Sequence, residues 1–206
     1  MIKQFTDNTA LLLIDIQKGV DDLAYYGGPT GRRNNSEAES RQKNLLDAWR
    51  AHGLPVLHTR HDSVEPESPL KWSKASGEFK AGFEPEDAEA VIWKQANSGF
   101  VGTNLGMELR RRKIGRIVIA GFYTNFCVET TTRMSGNFGY DTYLVHDACA
   151  AANRVGLDGT DYDPQLVHDL SVASLHGEFC TAISHTDAIS LLSADAPELD
   201  RVQGNE

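Results

Sequence analysis

Three side chains that can do acid–base or nucleophilic chemistry follow apolar runs of the sequence: Asp15, Lys94 and Cys127. A carboxylate at the end of an apolar strand costs free energy unless it is hydrogen-bonded, paired or functional. A thiol at the start of a helix has a lowered pKa, because the helix dipole and the free N–H groups favour the thiolate. The same N–H groups can stabilise an oxyanion. A nucleophile, a proton carrier and an oxyanion stabiliser are what amide hydrolysis requires.

Each of these residues, taken alone, also has a non-catalytic interpretation. Asp15 can cap a local turn, and Lys94 can extend its ammonium group into water. Cys127 can be a small core residue, which is the more frequent use of a single cysteine. Their positions relative to the strands and helices therefore carry the argument.

Six short runs of the sequence are apolar nearly throughout, a pattern typical of buried strands in a parallel sheet covered on both faces. They are residues 10–16, 55–59, 90–93, 116–122, 141–146 and 179–184. Helical segments lie between them, so the chain reads as βαβ units and predicts an α/β fold with a doubly wound parallel sheet. Sites in such sheets form beyond the carboxyl ends of the strands, which is where the three residues fall.

The helix predicted over residues 36–52 begins with Ser36 and Glu39 in capping-box spacing. Further helices are predicted over residues 103–113, 125–137 and 164–176 and after residue 186. The helix from residue 164 carries Leu166, Leu170 and Ala173 on one face and is expected to stop at Gly177. Residues 21–35 and 62–87 form long irregular stretches, which are either pocket walls or surface insertions without consequence.

The composition is that of a globular protein, with 40% hydrophobic and 24% charged residues among 206. This length suits one domain over residues 1–206, with a core over about 9–192 and a polar tail from Pro197. The net charge of −9 argues against nucleic acid as a partner. No apolar run is long enough for a signal peptide or a membrane span. Three cysteines without a CxxC pair favour a reducing compartment, so the predicted location is cytoplasmic.

Three segments together resemble the isochorismatase-like, or cysteine hydrolase, superfamily. They are Leu-Leu-Ile-Asp15-Ile-Gln, Val-Ile-Trp-Lys94-Gln-Ala-Asn-Ser-Gly-Phe, and Gly-Phe-Tyr-Thr-Asn-Phe-Cys127-Val-Glu-Thr-Thr. The resemblance runs from about residue 9 to residue 192 and implies a three-layer α/β/α fold with a six-stranded parallel sheet. It also implies a homodimer or homotetramer and a small-molecule substrate.

The resemblance assigns a role to each member of the predicted triad. Cys127 would be the nucleophile, Asp15 would carry protons, and Lys94 would hold the charged cluster together and favour the thiolate. A cis peptide bond is expected between Phe122 and Tyr123, which would aim the amides of Tyr123 and Cys127 at the substrate oxygen. The implied reaction is cleavage of a C–N bond in a small amide, ureide or lactam through a thioester.

The sequence departs from the nicotinamidases of this family, which bind a metal through an Asp-x-His motif after the second strand. The corresponding region here reads His58-Thr-Arg-His61-Asp62-Ser63, with His61 and Ser63 at the positions of the motif. We therefore expect no metal and no other cofactor. Substrate contacts are predicted for Gln17, His61, Trp72, Phe100 and Thr124, and Gln17 is also expected to support Asp15.

Two other classes of function remain open from the sequence. A vinyl ether hydrolase of the isochorismatase type would not depend on a cysteine nucleophile, so Cys127 disfavours it. A non-catalytic binding protein on the same fold would not need the Asp15, Lys94 and Cys127 set. Nucleotide-dependent oxidoreductases are disfavoured because the chain has neither a GxGxxG nor a Walker motif.

Overall fold

The computed structural model describes residues 2–193. Six parallel strands form its main sheet: β1 (Thr9–Ile14), β2 (Val56–His61), β3 (Ala90–Lys94), β4 (Arg116–Phe122), β5 (Asp141–Ala150) and β8 (Thr181–Ile183). All six predicted strands are present, with ends that differ by a few residues. Every residue of β1 is buried, as the unbroken apolar run predicts for a strand at the centre of a covered sheet.

The strand order across the sheet is β3-β2-β1-β4-β5-β8. The chain first moves outward from β1 through β2 to β3, and then restarts at β4 on the other side of β1. The direction in which the chain adds strands to the sheet therefore reverses between β1 and β4. A crevice is expected beyond the carboxyl ends of these two strands. Asp15 follows β1 directly, and Cys127 follows β4 after a short turn.

Residues 2–193 contain six α-helices: α1 (Leu23–Gly27), α2 (Ala38–Ala51), α3 (Leu105–Arg111), α4 (Glu129–Asn137), α5 (Pro164–Leu175) and α6 (His185–Ser190). They cover both faces of the sheet, which has a separate apolar cluster on each side. Leu45, Leu46 and Trp49 of α2 belong to one cluster. Leu105 and Leu109 of α3 belong to the other. The architecture is the predicted three-layer α/β/α fold.

One helix prediction is wrong in detail. Ser36 and Glu39 do not form a capping box, because α2 begins at Ala38 and the Glu39 carboxylate instead pairs with Arg33 and Lys80. The apolar face of α5 that carries Leu166 and Leu170 is exposed.

Two features of the described residues bear on the remaining sequence predictions. A small hairpin of β6 (Arg154–Val155) and β7 (Asp161–Tyr162), which the sequence did not indicate, follows β5. Within residues 2–193, no helix combines the length and the apolar character needed to cross a bilayer. The predicted polar tail from residue 197 lies outside the described residues.

Candidate active site

Asp15 is fixed at the end of β1 by an unusual backbone conformation and by Thr59. Its φ of 51° lies in the left-handed region, which ends the strand at Ile14 rather than at residue 16. The Thr59 hydroxyl donates to Asp15 Oδ1 at 2.5 Å and accepts from the Asp15 amide at 3.0 Å. Asp15 is fully buried, so its other carboxylate oxygen needs a charged partner.

Lys94, the last residue of β3, supplies that partner. Its buried Nζ lies 2.6 Å from Asp15 Oδ2 and 3.2 Å from Cys127 Sγ. It also lies 2.6 Å from His61 Nδ1 and 3.3 Å from the carbonyl oxygen of Ala96. Burial alone would lower the pKa of Lys94, but Asp15 and Cys127 outweigh it and raise the pKa above its ordinary value. The ammonium group of Lys94 is therefore charged and contacts both the Asp15 carboxylate and the Cys127 thiol.

Cys127 lies in a π-helical turn, Thr124–Val128, that precedes the regular helix α4. Phe126 has non-helical angles (φ −129°, ψ −105°), so the turn is kinked immediately before the cysteine. Burial raises the pKa of the Cys127 thiol to about 12, and the Asp15 charge acts in the same direction while Lys94 opposes it. The expectation of a lowered thiol pKa is wrong for the free site, because burial and the Asp15 charge outweigh the Lys94 charge.

The segment before this turn brings β4 close to β1. The peptide bond between Phe122 and Tyr123 is cis. Gly121 has φ 140°, and a Cβ at this position would lie 2.2 Å from the carbonyl oxygen of Ile14, so only glycine fits. The Tyr123 hydroxyl donates to the carbonyl oxygen of Val20, which fixes the aromatic ring beside the site.

His61, at the end of β2, completes the buried cluster. Its Nδ1 lies 3.8 Å from Cys127 Sγ and 3.9 Å from Asp15 Oδ2, in addition to its contact with Lys94. Gln17 holds the backbone of His61 on both sides, since its Oε1 accepts from the His61 amide at 2.8 Å and its Nε2 donates to the His61 carbonyl at 3.0 Å. Gln17 thus supports His61 rather than Asp15.

A cavity of about 340 Å³ opens onto Asp15, His61 and Cys127. This volume suits a small molecule. Tyr25, Tyr26, Tyr123 and Phe126 form its aromatic walls, and Ser63, Glu65, Ser68, Asn97 and Arg154 supply polar groups. The two long irregular stretches, residues 21–35 and 62–87, contribute many of these residues, as one of the two sequence interpretations predicts. Arg154 comes from the hairpin of β6 and β7, which the sequence did not indicate.

Four of the five predicted substrate contacts do not line the cavity. Gln17 is fully buried, with its side-chain amide bonded to the backbone of His61 and Gly77. Trp72 is 63% exposed and packs on Trp93, with ring centroids 4.7 Å apart. Phe100 packs against Phe138 and Tyr140 in another hollow. The Thr124 side chain is buried and hydrogen-bonded to His168 Nδ1 at 2.9 Å. These side chains pack against neighbouring elements, which local sequence patterns do not reveal.

Asp15, His61 and Cys127 offer donor atoms that lie within 4.8 Å of one another, close enough to suit a metal ion. The Lys94 ammonium group lies within 3.2 Å of an atom of each of them. A zinc ion bound by the same atoms would need to lie about 2.0–2.3 Å from each of them. It would then overlap the position of the ammonium group and be repelled by its positive charge. We therefore conclude that the Lys94 ammonium, rather than a metal ion, binds these three groups.

Comparison with known proteins places this geometry in a family. The isochorismatase domain model matches residues 9–187. The chain is 39% identical over 184 residues to the uncharacterized isochorismatase family protein YrdC of Bacillus subtilis, covering 89% of this chain and 96% of that protein. It is also 39% identical over 180 residues to the ureidoacrylate amidohydrolase RutB of Acinetobacter baylyi, covering 72% and 73% of the two chains.

Solved structures agree with the sequence comparison. An isochorismatase-family protein from Chromobacterium violaceum superposes with a TM-score of 0.85 at 39% identity, covering 93% of this chain and 97% of that one. A cysteine hydrolase from Pseudomonas syringae shares the fold, with a TM-score of 0.80 at 23% identity over 91% of this chain and 94% of that one. The chain belongs to the isochorismatase family of hydrolases.

Proposed function

We propose that this protein is a cysteine-dependent amidohydrolase that cleaves a C–N bond of a small amide, ureide or lactam through a thioester. One observation carries the proposal: a buried ammonium, that of Lys94, contacts both the Asp15 carboxylate and the Cys127 thiol at the floor of a cavity. The Agrobacterium fabrum protein RutB, a ureidoacrylate amidohydrolase, is 26% identical to this chain and supports the choice of C–N bond.

The raised thiol pKa makes proton transfer part of the attack. Cys127 holds its proton until a carbonyl carbon approaches, and Asp15 takes that proton as sulfur bonds to the carbon. Lys94 stabilises the charge that passes between the carboxylate and the sulfur. In this proposal the backbone amides of Tyr123 and Cys127 face the developing oxyanion.

Collapse of the tetrahedral intermediate breaks the C–N bond. Asp15 returns its proton to the leaving nitrogen and an acyl group remains on sulfur. From an amide or ureide the neutral amine, urea or ammonia departs, whereas from a lactam the neutral amine stays attached to the acyl chain. Water then attacks the thioester with Asp15 as the base, which releases the acid and restores the thiol. The balance is one amide and one water consumed for one acid and one amine formed.

Replacement of the nucleophile tests the proposal. Against a panel of small amides, ureides and lactams, Cys127→Ser is expected to lower kcat by at least about 10³-fold, because serine lacks an equally nucleophilic atom here. Intact-mass spectrometry of the wild type quenched during turnover is expected to show a mass increase equal to the acyl group. Circular dichroism checks that the variant is folded.

The alternatives predict different outcomes of the same assay. Full amide turnover by a folded Cys127→Ala variant would contradict the mechanism. Vinyl ether hydrolysis that survives this substitution would favour the isochorismatase reaction, and binding without turnover by the wild type would favour a binding protein.

Homo-oligomeric assembly and a cytoplasmic location stay predictions.

A further inference from the structure

We propose that His61 is a fourth member of the reaction centre, which acts as the neutral Nε2–H tautomer. Its Nδ1 accepts a hydrogen bond from Lys94, and its Nε2–H is presented to an oxygen atom of the substrate. This inference rests on the proposed amidohydrolase function for its kinetic consequences. The arrangement of His61 and Lys94 can be tested without any substrate.

The tautomer follows from the contact between two nitrogen atoms. Lys94 Nζ and His61 Nδ1 are 2.6 Å apart. A lysine ammonium has three donors and no acceptor, so Nδ1 must provide the lone pair and the ring proton must be on Nε2. The three shortest contacts of the ammonium, to Asp15, His61 and Cys127, match its three N–H groups.

The charged surroundings favour the neutral ring. Burial, followed by the Lys94 charge, lowers the pKa of His61 below its ordinary value, although Asp15 and Asp62 act in the opposite direction. Protonation of Nδ1 would place an N–H against the ammonium group at 2.6 Å. The other titratable or charged residues that line the cavity together with His61 and Asp15 are Cys127, Tyr25, Tyr26, Tyr123, Glu65 and Arg154.

The position of the ring leaves Nε2 for a ligand. His61 lines the cavity, and its hydrogen bonds to described residues use Nδ1 and the backbone only. Gln17 clamps the backbone on both sides, so the ring is held at the cavity floor. An Nε2–H donor beside the nucleophile recognises a carbonyl or carboxylate oxygen.

The other histidine of β2 shows a different use of the same residue type. His58 lies deeper in the sheet, and its Nε2 is paired with the Glu89 carboxylate at 2.8 Å. Since that carboxylate also pairs with Arg50, His58 belongs to a structural cluster. His61 is the histidine of this strand whose partners are the catalytic groups.

The first experiment is ¹⁵N-histidine NMR of the whole protein, with the His61 signals assigned by their loss in His61→Asn. At neutral pH we expect His61 as the Nε2–H tautomer with an unprotonated Nδ1. In Lys94→Met the ring should lose this fixed tautomer, and its pKa should rise, because the neighbouring positive charge is gone. A protonated Nδ1 in the wild type would overturn the proposal.

Two isosteric variants separate the two nitrogen atoms in kinetics. In His61→Asn the side-chain oxygen can replace Nδ1 as the acceptor for Lys94, whereas the Nε2–H donor is lost. We expect KM to rise by about 3–10-fold, as for one lost hydrogen bond, with kcat largely kept. In His61→Gln the amide reaches the Nε2 position instead, so kcat should fall more than in His61→Asn and KM should rise less.

The pH profile gives a readout that a merely structural role would not move. Protonation of His61 removes the acceptor for Lys94, so it should contribute to the acid limb of kcat/KM. This limb should therefore move to lower pH in His61→Asn. His52→Asn, at the exposed end of α2, is the matched control and should keep the wild-type profile.

An unchanged acid limb together with an unchanged KM in His61→Asn would overturn the assignment. A failure of the proposed function is distinguishable from this result. If the wild type hydrolyses none of the amides, the amidohydrolase proposal fails, while the NMR tautomer still decides whether Lys94 and His61 are paired as proposed.

Discussion

At the residue scale, burial and the Asp15 charge raise the pKa of the Cys127 thiol to about 12. The sequence indicated Asp15, Lys94 and Cys127 because each follows an apolar strand and lies in a family-like segment. It did not indicate the protonation state, since the thiol pKa depends on burial and on charges brought together from three strands. The role of His61 was also only partly foreseen, because its contact with Lys94 joins the ends of β2 and β3.

The signs of the contributions to the thiol pKa give opposite predictions for its two charged neighbours. Asp15 raises the pKa of Cys127 and Lys94 lowers it. Asp15→Asn should therefore speed alkylation of Cys127 by iodoacetamide at mildly alkaline pH, although it should lower turnover by about 10²–10⁴-fold through loss of the base. Lys94→Met should slow both reactions.

Mass spectrometry locates the label in that experiment, which is necessary because burial also raises the pKa of Cys149 and of Cys180 to about 12. Cys127→Ser provides the background rate. Slower alkylation in Asp15→Asn than in the wild type would show that the carboxylate promotes thiolate formation before substrate binds.

At the element scale, the strand ends are positioned by a few buried polar contacts rather than by the apolar pattern. The pattern located all six strands, but it could not show that Gln17 ties the end of β2 to the turn Ala75–Gly77. The same limit applies to α5, whose buried face the apolar spacing does not identify. Apolar spacing identified Leu166 and Leu170 as one face, whereas packing buries His168 and Leu175 instead.

Removal of the Gln17 side chain should loosen this junction. Gln17→Leu would leave the amide and carbonyl of His61 without their buried side-chain partner, whereas the carbonyl of Gly77 keeps its hydrogen bond from Arg60 Nε. The two His61 groups cost about 1–3 kcal/mol each, so we expect the free energy of unfolding to fall by about 2–6 kcal/mol. Urea denaturation measures this change.

The matched control is Gln4→Leu, at an exposed position, which should change the free energy of unfolding by no more than about 0.5 kcal/mol. A Gln17→Leu protein as stable as the wild type would mean that the backbone groups find other partners. Its KM should still differ from that of the wild type if His61 has moved.

At the scale of the whole molecule, the same sheet carries the candidate site at the carboxyl ends of its strands and, farther from those ends, a second buried polar cluster around Glu89. Alternating strands and helices predicted the doubly wound fold, but not which side of β1 each later strand would join. The observed order, with β1 and β4 adjacent, is what brings Asp15 and Cys127 to one crevice. Farther from the crevice, Arg50 of α2 and His58 of β2 meet Glu89, just before β3.

Glu89 makes the stability of the fold depend on acid pH. Burial alone would raise its pKa, but hydrogen bonds from Arg50 and His58 outweigh burial and hold the pKa of Glu89 at about 2, below the ordinary 4.5. A carboxylate with a lowered pKa stabilises the folded state above the unfolded-state pKa. That contribution is lost as pH falls from about 4.5 toward 2.

Glu89→Gln should therefore be less stable than the wild type by about 1.5–3 kcal/mol near neutral pH, the range for hydrogen bonds to a charged group. The difference should shrink as pH falls from about 4.5 toward 2, because the carboxylate becomes protonated first in the unfolded state and then in the folded state. Urea denaturation at a series of pH values measures both effects. Glu86→Gln is the control, since that exposed carboxylate also approaches Arg50, at 3.4 Å. An exposed pair of this kind contributes about 0–1 kcal/mol, so Glu86→Gln should change the free energy of unfolding little. A difference between Glu89→Gln and the wild type that does not depend on pH would contradict a stabilising role for the Glu89 charge.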